Sequence, residues 1–188
     1  YTLAAQAPCP GDQSTVTVTV NAAPDPGVDG ATTVCDVGGP VGLFTSLGGT
    51  PDVGGSWTDA NNNAFSGTYD PAVNAPGVYT YTVTGAAPCG NATATVTVSE
   101  TTAADAGTDG TLMLCENSPA TGLFAELGGT PDAGGSWTDP NGNAHSGTFD
   151  PSSDPAGVYT YTLAAQAPCP GDQSTVTVSV NAAPDAGL

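Results

Sequence analysis

Among its 188 residues the chain has no lysine and no arginine, against 18 aspartates and glutamates, so its formal net charge is −18. Nucleic-acid binding ordinarily rests on basic side chains that neutralise phosphates, and that footing is missing. The same absence argues against adsorption to anionic lipid. No carboxylate can pair with Lys or Arg inside the chain, so each must be solvated, hydrogen-bonded or bound to a cation. A Lys–Asn isopeptide staple is impossible, and trypsin has no site. No stretch is long and apolar enough to span a membrane, so direct membrane insertion is not expected, and in a segment of a longer protein the lack of a signal peptide says nothing about export.

What is there is repetition. Gly-Gly-Thr-Pro-Asp-x-Gly-Gly-Ser-Trp-Thr-Asp occurs at residues 48–59 and again at 128–139. Cys9, Cys89 and Cys169 lie 80 residues apart, as do Cys35 and Cys115. Tyr1 to Ala22 matches Tyr161 to Ala182 at every position except Thr19, which becomes Ser179. The chain therefore divides into the C-terminal part of one repeat (1–22), two full repeats (23–102 and 103–182), and the start of another or a linker (183–188). It reads as a segment of a longer array.

Within one repeat, Asn21 to Gly30 is a Pro/Gly-rich junction. Ala31 to Cys35 is a short first strand, matched by Thr111 to Cys115. Val41 to Leu47 supplies core candidates Leu43, Phe44 and Leu47, although its copy, 122–127, is equally readable as a helical turn. Ser56-Trp57-Thr58 is a strand with Trp57 facing inward, as Trp137 does in the copy. Asp59 to Asn63 is turn chemistry, and Ala64 to Tyr69 returns as a strand. Gly77 to Thr84 is the clearest strand, with Tyr79, Tyr81 and Val83 on one face, and Tyr159 and Tyr161 matching them. Ala92 to Ser99 alternates again. Six or seven short strands without a convincing helix describe an all-β antiparallel sandwich of 80 residues, marginal without a staple.

The cysteines alternate at gaps of 26 and 54, and two pairings fit. Cys35 with Cys89 and Cys115 with Cys169 would give each repeat one internal disulfide. Cys9 with Cys35 and Cys89 with Cys115 would bridge neighbours. The within-repeat scheme is the expectation, because small exported domains need internal cross-links worth about 4 kcal/mol for a loop of this size. Zinc is disfavoured, since no Cys-x-x-Cys or Cys/His cluster exists.

The candidate cation site is the junction. Asp25 and Asp29 recur as Asp105 and Asp109, and Asp185 starts a third copy. Paired carboxylates in a linker suit Ca²⁺, which would stiffen the hinge; the plain alternative is that these are turns. Asp139-Pro-Asn141-Gly-Asn143 resembles the start of an EF-hand loop but lacks the distal Glu, and reads as a turn. His145, the only histidine, stands where the other repeat has Phe65, which points to packing rather than catalysis. Nothing selects a catalytic pair from the fifteen aspartates. The Thr-x-Thr runs invite an ice-binding reading but are ordinary for the solvent side of a strand. Asn91-Ala-Thr93 spells a glycosylation sequon.

Taken in order, Asp-Ala-Gly-Thr-Asp-Gly (105–110), Leu-Cys (114–115), Leu-Gly-Gly-Thr-Pro-Asp (127–132), Gly-Ser-Trp-Thr-Asp (135–139), Phe-Asp-Pro (149–151) and Ala-Gly-Val-Tyr-Thr-Tyr-Thr (156–162) resemble repeats of giant Bacteroidota surface proteins. These are the gliding-motility-associated, SprB-type adhesins exported by the type IX system. The resemblance implies tandem Ig-like domains strung into a surface filament, and it carries over no functional residue. The expectation is a non-catalytic, extracellular filament or adhesin stalk. Its partners would be neighbouring repeats and, laterally, other copies forming a fibre. The alternative is a carbohydrate- or surface-binding module, which exposed aromatics would favour.

Overall fold

A computed structural model describes residues 1–184, so Asp185 and the rest of 185–188 lie outside the described residues. Strands β1 (Thr2–Leu3) and β2 (Asp12–Gln13) form a small hairpin ahead of the first repeat. The first repeat runs β3 (Gly30–Cys35), β4 (Val41–Gly42), a 3-10 turn (Leu43–Ser46), β5 (Ser56–Thr58), β6 (Ala64–Phe65), β7 (Thr68–Tyr69), β8 (Gly77–Val83) and β9 (Ala92–Thr101). The second repeats this as β10 (Gly110–Cys115), β11 (Thr121–Gly122), a 3-10 turn (Leu123–Glu126), β12 (Ser136–Thr138), β13 (Ala144–His145), β14 (Thr148–Phe149), β15 (Gly157–Leu163) and β16 (Asp172–Asn181). Each repeat is a β-sandwich unit, with a five-stranded sheet (order β3-β9-β8-β5-β6, or β10-β16-β15-β12-β13) facing a two-stranded one (β4-β7, or β11-β14).

The alternating faces read in the sequence set this packing. Tyr79, Tyr81 and Val83 of β8, Ala94, Val96 and Val98 of β9 and Trp57 of β5 are buried on one sheet, and Leu43, Leu47 and Tyr69 close the core from the other side. The second repeat buries the same set, including Trp137, Phe149, Tyr159 and Tyr161. The segment expected as one strand from Ala64 to Tyr69 is two. Gly67 sits between them at φ +84, in the left-handed region glycine tolerates. The chain there leaves the Trp57 strand, where Phe65 pairs with Trp57, and crosses to pair Tyr69 with Val41.

One strand runs against expectation. The sandwich was expected to be antiparallel throughout, but β3 lies parallel to β9, with Gly30 opposite Val96 and Cys35 opposite Thr101. β10 and β16 do the same. Both strands of the pair therefore finish at the same pole of the domain, where the next repeat starts.

Segment 1–22 shows how much of a strand is tertiary. Its register Thr2↔Gln13 and Leu3↔Asp12 is the register Thr162↔Gln173 and Leu163↔Asp172 of the nearly identical 161–182. Beyond the hairpin the two part. Val176 and Val178 are buried in β16, whereas the matching Val16 and Val18 are 87% and 78% exposed and form no strand. Alternation makes a strand only where a facing layer accepts its apolar side.

Candidate functional site

The expected core residues come together around the repeated Gly-Gly-Ser-Trp motif. The Tyr81 ring lies 5.0 Å from Trp57 and meets Phe44 edge-on at 5.4 Å. Its hydroxyl donates to the Asp52 carbonyl and accepts the Gly55 amide, both at 2.7 Å. Tyr161 holds Asp132 and Gly135 in the same way. Tyr79 and Tyr159 donate to the carbonyls of Ala75 and Pro155. The motif is a loop wrapped on a tyrosine, and its Trp fills the core. Among the described residues only Tyr1 and Phe124 are exposed large aromatics, so neither Trp57 nor Trp137 can stack on a sugar.

Burial holds the phenols of Tyr69, Tyr79 and Tyr159 protonated. Burial, with the Asp154 and Asp139 charges nearby, pushes the Tyr159 pKa up to about 12. Tyr79 is raised, mainly by burial, and Tyr69 is raised by burial and by donating to Glu100 Oε1 at 2.6 Å. A phenol whose folded pKa exceeds its unfolded value stabilises the fold fully below pH 10, and that contribution fades as pH rises from 10 toward 12. Thermal melts should therefore fall steeply above pH 10, with Tyr159 alone accounting for on the order of 2 kcal/mol. Tyrosinate absorbance appearing near pH 10 with the fold intact would contradict this.

The junction aspartates are backbone clamps. Asp25 Oδ1 accepts the Gly27 amide, and Asp52 Oδ2 accepts the Asp25 amide at 2.9 Å. Val28 and Gly48 exchange two backbone bonds at 2.9 Å, so the junction is zipped onto the start of the Gly-Gly-Thr-Pro-Asp motif. Asp29 Oδ1 accepts the Thr95 amide, pinning the start of β3 to β9. Asp105 and Asp109 repeat these roles with Gly107 and Thr175. Asp25, Asp29, Asp105 and Asp109 belong to no convergent group of three or more ligand atoms among the described residues. The EF-hand-like loop is likewise a turn. Asp139 accepts the amides of Asn141 and Asn143 and the Asn143 side chain, which also hold its carboxyl below the usual range. His145 stacks on Tyr159 at 4.8 Å where Phe65 stacks on Tyr79 at 4.6 Å, which is the packing role its position suggested.

The cysteines overturn the expected pairing. Neither Cys35–Cys89 nor Cys115–Cys169 forms; the disulfide joins Cys35 of the first repeat to Cys169 of the second, with Cα atoms 4.9 Å apart. The bridging alternative, Cys9–Cys35 and Cys89–Cys115, does not form either, and Cys9, Cys89 and Cys115 are free. The parallel first strand is the reason. Cys35 stands opposite Thr101 at the far end of β9, whereas Cys89 precedes Ala92 at its near end. Ten residues at about 3.3 Å each put them roughly 30 Å apart, far beyond the ~7 Å a disulfide can span. Cys169, in the β15–β16 loop, is at the near pole of the second repeat and meets Cys35 across the junction.

Around that bridge the two repeats share a compact polar joint. Cys169 Sγ lies 3.1 Å from the Thr101 carbonyl oxygen, which also accepts the Asp36 amide at 3.1 Å. Asp36 Oδ1 accepts the Ala103 amide across the junction at 2.9 Å, and within the second repeat Asp172 Oδ2 accepts the Ala106 amide at 2.7 Å. Ala106 is fully buried, and Ser174 Oγ donates to the Gly107 carbonyl at 2.7 Å. A cleft of about 390 Å³ at this joint is lined by Asp36, Asp105 and Asp172, each already accepting a backbone amide. Sequence reasoning missed Asp36 and Asp172. The one available signal was an acidic residue after each strand-end cysteine, Asp36 after Cys35 and Glu116 after Cys115.

Neither a protein-family model nor a curated protein sequence matches the chain. Among solved structures it is similar to immunoglobulin domains 1–5 of Sidekick-1, at 12% identity and a TM-score of 0.43. That match covers 87% of this chain and 40% of the other, so the chain spans less than half of its length.

Proposed function

We propose that the chain is a non-catalytic structural segment of a long extracellular filament or surface adhesin stalk, built from head-to-tail Ig-like repeats. The observation that carries this reading is the joint itself. Consecutive repeats are fixed to one another by the Cys35–Cys169 disulfide, by the carboxylate–amide bond from Asp36 to Ala103 and by the close contact of Cys169 Sγ with the Thr101 carbonyl. A freely hinged pair of domains needs none of these, whereas a stiff rod needs a fixed joint at each step. The disulfide belongs to an oxidising compartment outside the cytosol, and a chain without Lys or Arg resists trypsin-like proteases there. The likeness of the repeats to gliding-motility-associated Bacteroidota adhesins supports placement at a cell surface.

Electron microscopy of the intact assembly, with and without a chelator, tests this. The expected image is a long fibre of unchanged width and stiffness in both, because backbone amides already occupy the junction carboxylates. Softening on chelation would restore Ca²⁺ at Asp25, Asp29, Asp105 and Asp109. A compact particle would overturn the filament reading.

A further inference from the structure

We propose that the Cys35–Cys169 bridge is a covalent shortcut for tension, which shields almost all of both repeats from being pulled out. The bridge spans 134 residues of sequence. Force applied at the two ends of the chain enters the ring at Cys35 and leaves at Cys169 through the sulfur–sulfur bond. Residues 36–168, strands β4 to β15, carry none of it. Trp57, Trp137 and the five core tyrosines all lie in that shielded segment. Of the strands of the two repeats, only β3 and β16 lie outside the ring.

The same geometry is set up at the neighbouring joints. Cys115 stands opposite Asn181 as Cys35 stands opposite Thr101. Cys89 Sγ lies 3.7 Å from the Asn21 carbonyl oxygen, as Cys169 Sγ lies 3.1 Å from that of Thr101. Each repeat thus presents one cysteine forward, at the end of its first strand, and one backward, in its last loop. Resting on the filament reading, an array bonded in this way has overlapping rings, the segment from Cys115 to Cys169 being common to two of them. Tension then has two covalent routes, each alternating a disulfide with a 26-residue stretch such as Cys89 to Cys115. Each new bond takes two thiols, which lose two protons and two electrons to a disulfide-bearing oxidant that leaves as two thiols. One backbone cut, or one reduced bridge, leaves the array joined.

Single-chain stretching from residue 1 to residue 188 tests the shortcut. Without reductant, the extended length should correspond to the residues outside the ring, roughly 190 Å at ~3.5 Å per residue. Adding reductant under load should release a further ~470 Å in one step. Cys35→Ser should give the full length without reductant. Full extension of the unreduced chain would overturn the shortcut, and would leave the fibre seen by microscopy untouched. A second measurement avoids force altogether. Glu100, Glu116 and Glu126, the only glutamates, all lie inside the ring, and Glu116 is exposed after β10. Cleavage there by a Glu-specific protease should leave one species on a non-reducing gel and fragments on a reducing one. Separation without reductant would overturn the ring. For the array, Cys89 and Cys115 in the intact assembly should resist alkylation until it is reduced; free thiols there would overturn the double route.

Discussion

Gly110→Ala should unfold the second repeat while leaving the first folded. A Cβ at Gly110 would sit 1.8 Å from the Glu126 carbonyl oxygen and 2.7 Å from its carbon, and both belong to backbone. That carbonyl belongs to the last residue of the 3-10 turn carrying Leu123, which is fully buried. Neither side can give way cheaply. Immediately before Gly110, Thr108 and Gly128 exchange two 2.9 Å backbone bonds, and Asp109 holds the Thr175 amide. Immediately after it, β10 is committed to β16. A shift of more than 1 Å must break the bridge or lift Leu123 out of the core, at a cost above roughly 4 kcal/mol. A domain of this size has only about 5–10 kcal/mol to lose. Gly30→Ala makes the same clash with Ser46 in the first repeat and should unfold that one instead. Gly122→Ala is the control: no atom lies within 4 Å of its Cβ position, and φ −74, ψ 126 suits alanine, so its effect should stay within about 0.5 kcal/mol. Denaturant melts in which Gly110→Ala is as mild as Gly122→Ala would show that the close approach is not real.

The same pair of strands marks the limit of what the sequence reveals. Periodicity found the long strands, because β8 and β9 each bury three residues on one face and turn mainly threonines outward on the other, and the facing layer is intrinsic to the repeat. It also placed Trp57, Trp137 and the tyrosines. The direction of β3 was not legible, since six residues with an alternating pattern read identically in parallel and antiparallel pairing. That one bit decided the disulfide. An antiparallel first strand would have ended beside Cys89, and the spacing of cysteines alone carries no information about which pole each one reaches. Junction aspartates misled for a related reason. Asp25 and Asp29 look like surplus charge in a linker, but the linker is zipped onto residues 48–52, and each carboxylate is consumed by an amide far away or two residues on. The segment 1–22 makes the physical point within one molecule, since a sequence that forms β16 when a sandwich faces it leaves its valines in solvent when none does.

Trp137→Ala should cost the second repeat about 3–5 kcal/mol, more than any other single side-chain truncation in its core. The indole is 7% exposed and stacks on Tyr161 at 5.1 Å, and Gly147 lies so close that a Cβ there would meet Trp137 Cδ1 at 2.6 Å. Nothing nearby can collapse into the space it leaves, because Tyr161 is held by two hydrogen bonds of its own. For a domain of this size the loss corresponds to a melting temperature lower by about 15 °C or more. Tyr161→Phe should cost less, about 1–3 kcal/mol, since it keeps the ring and leaves only the Gly135 amide and Asp132 carbonyl without their partner. This ordering separates the structural reading of the Gly-Gly-Ser-Trp motif from a ligand-binding one. If the Trp carries the core, stability falls first, and any loss of adhesion follows the unfolding. A Trp137→Ala variant that melts like the parent yet no longer adheres would show that the indole reaches a ligand, and that the loop around it is a site after all.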